Sequence, residues 1–460
     1  MSQTLMVSVS GMRGIVGTDL TPELVARHAA ALGAWARAAG KPLVVLGRDA
    51  RTRGPMFARA AAAGLMSAGA DVVDLGITTT PTAQLAVEFH RAGAGLILTA
   101  SHNPIEWNAL KFVGPDGVFL DGAAGAQVRA LAEQGPPRTT WEGIGSVRED
   151  PDAVRRHLDL VLGLPLIDRE GLRRRRFRVA LDCVRGAGGV AMPALLEALG
   201  CEVHAINLAT DGRFPRPPEP LPENLGELGA LVREVKADIG MAVDPDVDRL
   251  ALVDEQGRAI GEDYTLAFAV RAVLGAGGRT PAVAGGAATV VANLSTSLVV
   301  EDAARAFGAR FLRAPVGEAN VARTMIAERA VIGGEGNGGV MLPALHVGRD
   351  APAGAALVLQ YLLAERRAVS DCVAAAPRYF IVKAKAPRGP DLAPVYAALR
   401  TRFPDAQADV ADGLRLSWPD RWVHARPSGT EPIVRFIAEA PTAREAEGLV
   451  DACRSAFAGQ

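Results

Sequence analysis
Cysteine is scarce and scattered. Cys183, Cys201, Cys372 and Cys453 contain no C-x-x-C pair, so neither a zinc site nor a disulfide framework is expected, and they read as reduced, mostly structural thiols. No stretch approaches the roughly 18 consecutive apolar residues that cross a bilayer. The opening "MSQTLMVSVSGMRG" has no basic segment leading into an apolar one, which excludes a secretory signal and predicts a soluble, cytoplasmic protein without membrane partners. A dominant charge is missing too: 50 Lys and Arg face 51 Asp and Glu, for a net charge of -1. Without a long basic stripe, the electrostatic footprint of a nucleic-acid binder is absent. The one arginine run, Arg173 to Arg176, reads as a solvated helix end or loop.

What is present is the composition of a globular α/β chain: 49% hydrophobic, 22% charged, with 50 glycines spread along 460 residues. That length is too great for one core and implies several domains. Apolar runs of strand length recur in "KPLVVLGRD", "GADVVDLG", "GLILTAS", "FRVALDC", "CEVHAIN", "ADIGMAVD" and "TVVANLS". Each is followed by a helix-like, Ala-rich segment, the pattern of parallel sheets covered by helices on both faces. In such sheets ligands gather outside the carboxyl ends of the strands. Transitions between units are expected in "EQGPPRTTWEGIG", in "VDEQGRAIGEDY" and near "ERRAVSDCVAAAPRY". The last ninety or so residues alternate in "YFIVKAKA", "GLRLSWPDRWVHARPS" and "PIVRFIAEA", which predicts an antiparallel sheet carrying helices.

Four polar clusters follow these strands. In "TASHNP" the chain delivers Ser101 and His102 to a tight turn; the serine is either a plain turn residue or a nucleophile or phosphate carrier, and no G-x-S-x-G elbow supports a hydrolase. "MAVDPDVDRLALVDEQG" sets Asp244, Asp246 and Asp248 at alternate positions. That spacing can turn three carboxylates towards one hard cation such as Mg²⁺; the alternative is solvated acids with Arg249 as counter-ion. An EF-hand is excluded, since its loop glycine and final Glu are missing. "IGGEGNGGV" places Glu335 and Asn337 between glycines, either a bare turn or a carboxylate and amide able to bond vicinal hydroxyls. "ARPSGTEPIVRF" combines Arg426, Ser428, Gly429, Thr430 and Arg435, a surface turn or a phosphate cradle without the P-loop consensus.

Together these residues resemble the α-D-phosphohexomutase family, whose T-A-S-H-N-P, D-x-D-x-D, G-E-x-x-G and R-x-S-G-T-E-P loops all occur here in the family's order. The resemblance implies three related α/β domains with mixed, mainly parallel sheets, plus a smaller C-terminal α+β domain, around a central cleft. The boundaries expected are 1–145 for the phosphoserine-bearing domain, 146–256 for the metal-binding domain, 257–370 for the sugar-recognition domain and 371–460 for the phosphate-binding domain. Carried over by position, Ser101 is implied as the phosphoserine and, with Asp244, Asp246 and Asp248, a ligand of Mg²⁺. Arg13 in "SGMRGIVG" and Arg249 are implied as active-site contacts, Lys111 in "WNALKF" with His102 as proton-handling groups, Glu335 and Asn337 as the sugar-hydroxyl loop, and Arg426, Ser428, Gly429, Thr430 and Arg435 as the phosphate site.

The reaction implied interconverts hexose 6- and 1-phosphates through a bound hexose 1,6-bisphosphate, also the activator, that turns end over end. The sugar phosphate is the implied partner, and a monomer or homodimer the implied assembly. Some positions depart from the family pattern. Asn337 and Gly339 stand where many bacterial members have Ser and His, Arg185 stands where Asn is commoner, and "NALK" replaces N-G-x-K. The sugar loop and "EWNALKF" look most like members acting on glucosamine phosphate, with glucose and mannose phosphates as alternatives. Remoter readings are an Mg-dependent sugar phosphatase using an aspartate nucleophile, and a non-catalytic sugar-phosphate binding protein.

Overall fold
The computed structural model describes residues 5–8, 11–276, 287–387, 391–428 and 433–458, arranged about four sheets. In the first, the strands run in the order Met6–Ser8, Gly11–Ile15, Trp107–Val113, Ala94–Leu98, Leu43–Arg48, Asp71–Ile77 and Val147–Glu149. The second runs Leu250–Val253, Ile239–Val243, Arg178–Asp182, Glu202–Ile206, and the third Arg310–Ala314, Thr289–Asn293, Ile332–Glu335, Gly339–Leu342, His346–Arg349. The fourth, Phe380–Pro387, Ile433–Ala440, Trp422–Pro427, Leu414–Ser417, Gln407–Asp409, is antiparallel throughout.

The first three sheets share one plan. Two strands joined through a helix pair in parallel, a third parallel strand adds beside the first of them, and the chain then turns back as an antiparallel neighbour. That last hairpin has no counterpart in a purely parallel reading of the apolar runs: its return strand follows after a turn far too short for a parallel crossover. Its turn lies at the carboxyl end of the third strand, where ligands gather in open α/β sheets. The turns are residues 99–106, 244–249 and 336–338, so the serine, aspartate and glutamate loops occupy the same place in three copies of one topology. The phosphate loop begins at Ser428, again in a hairpin turn, between Trp422–Pro427 and Ile433–Ala440; Gly429 and Thr430 lie outside the described residues.

Apolar packing joins the units unevenly. One cluster of buried side chains runs from Leu158 to Cys372 and serves the second and third units together, whereas the first and fourth have cores of their own. Helix Ala351–Glu365 lies in the shared core and is buried nearly all round, as its uniformly apolar sequence requires. Cys183, Cys372 and Cys453 are buried free thiols and Cys201 is half-buried, its thiol pushed up to about 12 by burial and then Asp238. Arg173 to Arg176 are exposed, and the first three form the last turn of helix Arg169–Arg175, where cations meet the negative end of the helix dipole. Among the described residues no helix is long and apolar enough to cross a membrane.

Where the first three units meet, a polar network replaces apolar contact. Asp350, the N-cap of Ala351–Glu365, faces His157 Nε2 at 2.8 Å and His346 Nε2 at 2.9 Å, and His157 Nδ1 is 2.8 Å from Thr82 Oγ1. All four residues are buried. Burial alone would raise the Asp350 carboxyl, but the two histidines outweigh it and hold the group below the ordinary carboxylate range. We expect Asp350→Ala to lower the unfolding free energy in denaturant titrations by about 3 kcal/mol, since it strands two buried imidazoles. A depressed carboxylate stabilises above its unfolded pKa of about 4 and loses that contribution as pH falls. The gap between wild type and variant should therefore be full at pH 7 and shrink in acid.

Candidate active site
Ser101 adopts φ +47°, the left-handed region, and is buried at 4% exposure. A non-glycine residue there costs roughly 1 to 3 kcal/mol and persists only where its surroundings impose it. The fixing element is Arg51. Its guanidinium donates to the carbonyls of Ser101 (2.7 Å), Asn103 (2.6 Å), Pro104 (2.7 Å) and Trp107 (2.8 Å), and its Nε to Asp49 Oδ2 at 3.1 Å. Asp49 also accepts from Thr99 Oγ1 at 2.6 Å, and Thr99 Oγ1 accepts from Ser101 N at 2.9 Å. So held, Ser101 Oγ donates to Asp244 Oδ2 at 2.8 Å, across the boundary of the first two units. His102 Nδ1 lies 3.3 Å from the same hydroxyl. Burial, and then Arg249, Arg13 and Arg349, hold that imidazole well below its ordinary value, so it is neutral. Arg13 Nη1 donates to Asn103 Oδ1 at 2.8 Å.

The aspartate loop is wholly buried. Its tight return places Val247 at φ +63°, a conformation rare for a β-branched residue, and lets Asp244 Oδ1 accept from the amides of Asp248 and Arg249, both at 3.2 Å. Lys111 Nζ donates to Asp246 Oδ2 at 2.7 Å and Asp248 Oδ2 at 3.4 Å, and Thr80 Oγ1 to Asp246 Oδ2 at 2.6 Å. Burial, followed by Asp248 and Asp246, pushes Asp244 well up, whereas Lys111 outweighs burial at Asp246 and holds it below the carboxylate range. The same pairing keeps Lys111 cationic against its own burial. Carboxylate oxygens of the three aspartates lie within 4.8 Å of one another. Asp246 Oδ1 and Asp248 Oδ1 are buried with no hydrogen-bond partner among the described residues, Arg249 Nε standing 3.8 Å from the latter. Orphaned acceptors of this kind are costly, and an all-oxygen donor set suits a hard divalent cation; these residues fit Mg²⁺.

Glu335 closes the third strand and accepts from Asn293 Nδ2 at 2.9 Å, Gly317 N at 3.1 Å and Arg349 Nη1 at 3.0 Å. Asn337 Nδ2 donates to Glu335 Oε2 at 3.4 Å, so the two members of the sugar loop share one cluster. Arg249 leaves the aspartate loop for Glu219 Oε1 at 2.8 Å, and that oxygen is 3.9 Å from His102 Nε2.

Among the described residues, the fourth sheet bonds to the third unit. Arg426 Nε and Val316 N both donate to Asp412 Oδ2, at 2.8 and 3.1 Å, and Ser295 Oγ lies 2.9 Å from His424 Nδ1. Strand register sets Arg435 opposite both Arg426 and Lys385. Three cations thus share one face of three neighbouring strands beside the turn at Ser428, an arrangement that like charges disfavour and that an anion would stabilise.

Four domain descriptions match the chain in order. They are alpha/beta/alpha domain I of phosphoglucomutase/phosphomannomutase over residues 5–138, domain II over 156–257, domain III over 262–380 and the C-terminal domain over 382–456. The chain belongs to the phosphoglucomutase/phosphomannomutase family. It is thus a phosphohexomutase, an isomerase. A probable phosphoglucosamine mutase of Methanopyrus kandleri is 36% identical over 446 residues, 96% of this chain and 95% of that protein. A phosphoglucomutase/phosphomannomutase of Thermococcus kodakarensis is also 36% identical, over 447 residues and 96% of each chain. The crystal structure of a phosphoglucomutase/phosphomannomutase family protein from Burkholderia thailandensis superposes with a TM-score of 0.86 at 26% identity, covering 98% of this chain and 96% of that one.

Several residues of this phosphohexomutase site carried no sequence signal. Arg51 and Asp49 sit in "GRDART", directly after a predicted strand, where a buried arginine would look like a loop charge. Arg349, in "VGRDA", contacts Asp248 from 101 positions away. Glu318, which takes Arg349 Nε at 3.0 Å, lies in the first turn of helix Glu318–Ala327 and resembles any helix-start acid. Asp246→Asn should weaken Mg²⁺ binding at least ten-fold, or ~1.4 kcal/mol, in calorimetric titration of the protein alone, because it removes a formal charge from the donor set. Equal affinity would exclude the aspartate loop as the metal site.

Proposed function
We propose that this phosphohexomutase interconverts the 6- and 1-phosphates of glucosamine through phosphoserine at Ser101 and a bound 1,6-bisphosphate. The observation that carries the reading is the bond from Ser101 Oγ to Asp244 Oδ2 at 2.8 Å: it sets a strained, immobilised hydroxyl against a trio of carboxylates. Asp244, Asp246 and Asp248 would hold Mg²⁺, which offsets the roughly −1.5 to −2 charge of a phosphoserine and the charge spread over a transferring phosphoryl group.

The chain's own groups then divide the work. The bond from Ser101 Oγ to phosphorus breaks as the substrate oxygen bonds to it; the substrate hydroxyl gives up its proton and the released Ser101 Oγ takes one up. Lys111, paired with the aspartates, and His102, 3.3 Å from Ser101 Oγ, are the groups that handle these protons. Glu335 and Asn337 read the sugar hydroxyls. Arg426, Ser428 and Arg435, with Gly429 and Thr430, hold whichever phosphate is not reacting, and the fourth unit swings aside while the bisphosphate reverses. The four sheets thereby correspond to phosphoserine, metal, sugar and phosphate domains.

Glucosamine is favoured by "GEGNGG" and "EWNALKF" and by relatives named probable phosphoglucosamine mutase, such as that of Methanosarcina acetivorans at 36% identity. The Thermococcus relative named phosphoglucomutase/phosphomannomutase, of equal identity, supports glucose or mannose phosphate as the second reading. Assays of the purified protein on the three hexose 1-phosphates side by side decide between them: the highest kcat/KM is expected on glucosamine 1-phosphate.

Ser101→Ala should abolish turnover with the far-UV spectrum and Tm unchanged, because one hydroxyl and no core volume is removed; turnover near wild type would rule out the phosphoserine. Arg426→Ala should cost roughly 2 to 3 kcal/mol in kcat/KM in both directions and release more 1,6-bisphosphate per turnover. An effect in one direction only would place the clamp elsewhere.

A further inference from the structure
Arg349 ends the strand His346–Arg349, and each nitrogen of its guanidinium meets a different carboxylate: Nε with Glu318 at 3.0 Å, Nη1 with Glu335 at 3.0 Å and Nη2 with Asp248 at 2.5 Å. The residue is 7% exposed. Two of its partners belong to different functional turns, the aspartate loop of the second unit and the glutamate loop of the third. Each retains another task, since Asp248 Oδ1 has no hydrogen-bond partner among the described residues and Glu335 Oε1 accepts from Asn293 and Gly317.

The space for this side chain comes from a missing one. A Cβ on Gly339 would lie 2.3 Å from Arg349 Cδ and 2.9 Å from its Cγ. Gly339 has no positive φ, so glycine stands there for room and not for backbone freedom. Its amide donates to Asn337 Oδ1 at 3.2 Å, tying the same turn together. A planar guanidinium with three carboxylates at fixed angles sets distances as well as charge; an ammonium would supply the charge without the geometry.

We infer that Arg349, in the room left by Gly339, is the positioning residue that fixes the sugar loop against the metal loop and thereby sets which hexose phosphate is accepted. The inference rests on the reading of Glu335 as a sugar-hydroxyl contact and Asp248 as a metal ligand.

The experiment uses Arg349→Lys, Gly339→Ala, Arg349→Ala and the last two combined, each checked for folding by near-UV circular dichroism. For each, kcat and KM are measured on the 1-phosphates of glucosamine, glucose and mannose, and Mg²⁺ affinity by calorimetry without sugar. Arg349→Lys should raise KM at least ten-fold, change the ratio of kcat/KM among the three sugars and weaken Mg²⁺ several-fold. Gly339→Ala should act in the same direction alone and add little once position 349 is Ala, since the two atoms its Cβ would approach most closely are then gone and Asn337 Oδ1, at 3.1 Å, is the nearest that remains; such non-additivity marks a direct pair. A uniform fall in kcat with sugar ratios unchanged would reduce Arg349 to a structural strut and overturn the proposal, as would a Gly339→Ala effect equal in both backgrounds. If Arg349→Lys does not fold, Gly339→Ala carries the same test. A wild type inactive on all three sugars would fault the substrate reading. The Mg²⁺ titrations would then decide on Arg349, with unchanged affinity in Arg349→Lys overturning the proposal and weakened affinity sustaining it.

Discussion
Asp246, Lys111, Asp248, Arg349 and Glu335 form an alternating run of charges through the first, second and third units, with successive contacts of 2.7, 3.4, 2.5 and 3.0 Å. Removing one member would leave its neighbours charged, buried and unpaired, a far larger loss than any surface ion pair contributes. The run therefore constrains how the first unit sits against the second and third, which share one core. Carboxylate is in surplus at its centre, where Asp246 Oδ1 and Asp248 Oδ1 have no hydrogen-bond partner among the described residues.

That arrangement follows from repetition. Each of the first three sheets turns back on itself after its third parallel strand, so each delivers one short polar loop to the same relative position. Pointing three such turns at a common centre brings together a hydroxyl, a carboxylate trio and the Glu335–Asn337 pair, which no single sheet could supply. The fourth sheet is attached differently. Its link is to the third unit, where the buried Glu439 accepts from Ser297 Oγ, from Leu298 N at 2.8 Å and from Trp422 Nε1 at 2.6 Å. The fourth unit has a core of its own.

The site also stores strain. Ser101 at φ +47° and Val247 at φ +63° are held against their backbone preferences, Ser101 by the carbonyls gathered on Arg51 and Val247 by the amides bonded to Asp244. Both positions face each other across the boundary of two units. Immobilising the hydroxyl and the acceptor separately, each within its own turn, means that little reorganisation is left for the reaction itself, which suits chemistry dominated by positioning and electrostatics.

The sequence alone determined the α/β alternation, the antiparallel final sheet and the loops carrying Ser101, Asp244, Asp246, Asp248, Glu335 and Arg426, because a strand followed by a polar turn is a local pattern written in consecutive residues. It left unmarked the return strands 107–113, 250–253 and 339–342, short segments directly behind the polar turns whose antiparallel pairing is set only in the folded sheet. Arg51, Arg349, Glu318 and the group of Thr82, His157, His346 and Asp350 were equally invisible: single charged or polar residues in ordinary surroundings, whose partners lie tens to hundreds of positions away. Gly339 shows the division most clearly. Its departure from the histidine of many bacterial members is plain in the chain, but that Arg349, on the neighbouring strand, fills the space beside it appears only once the third sheet has formed, because the packing of a side chain depends on its neighbours in space and not on those in sequence.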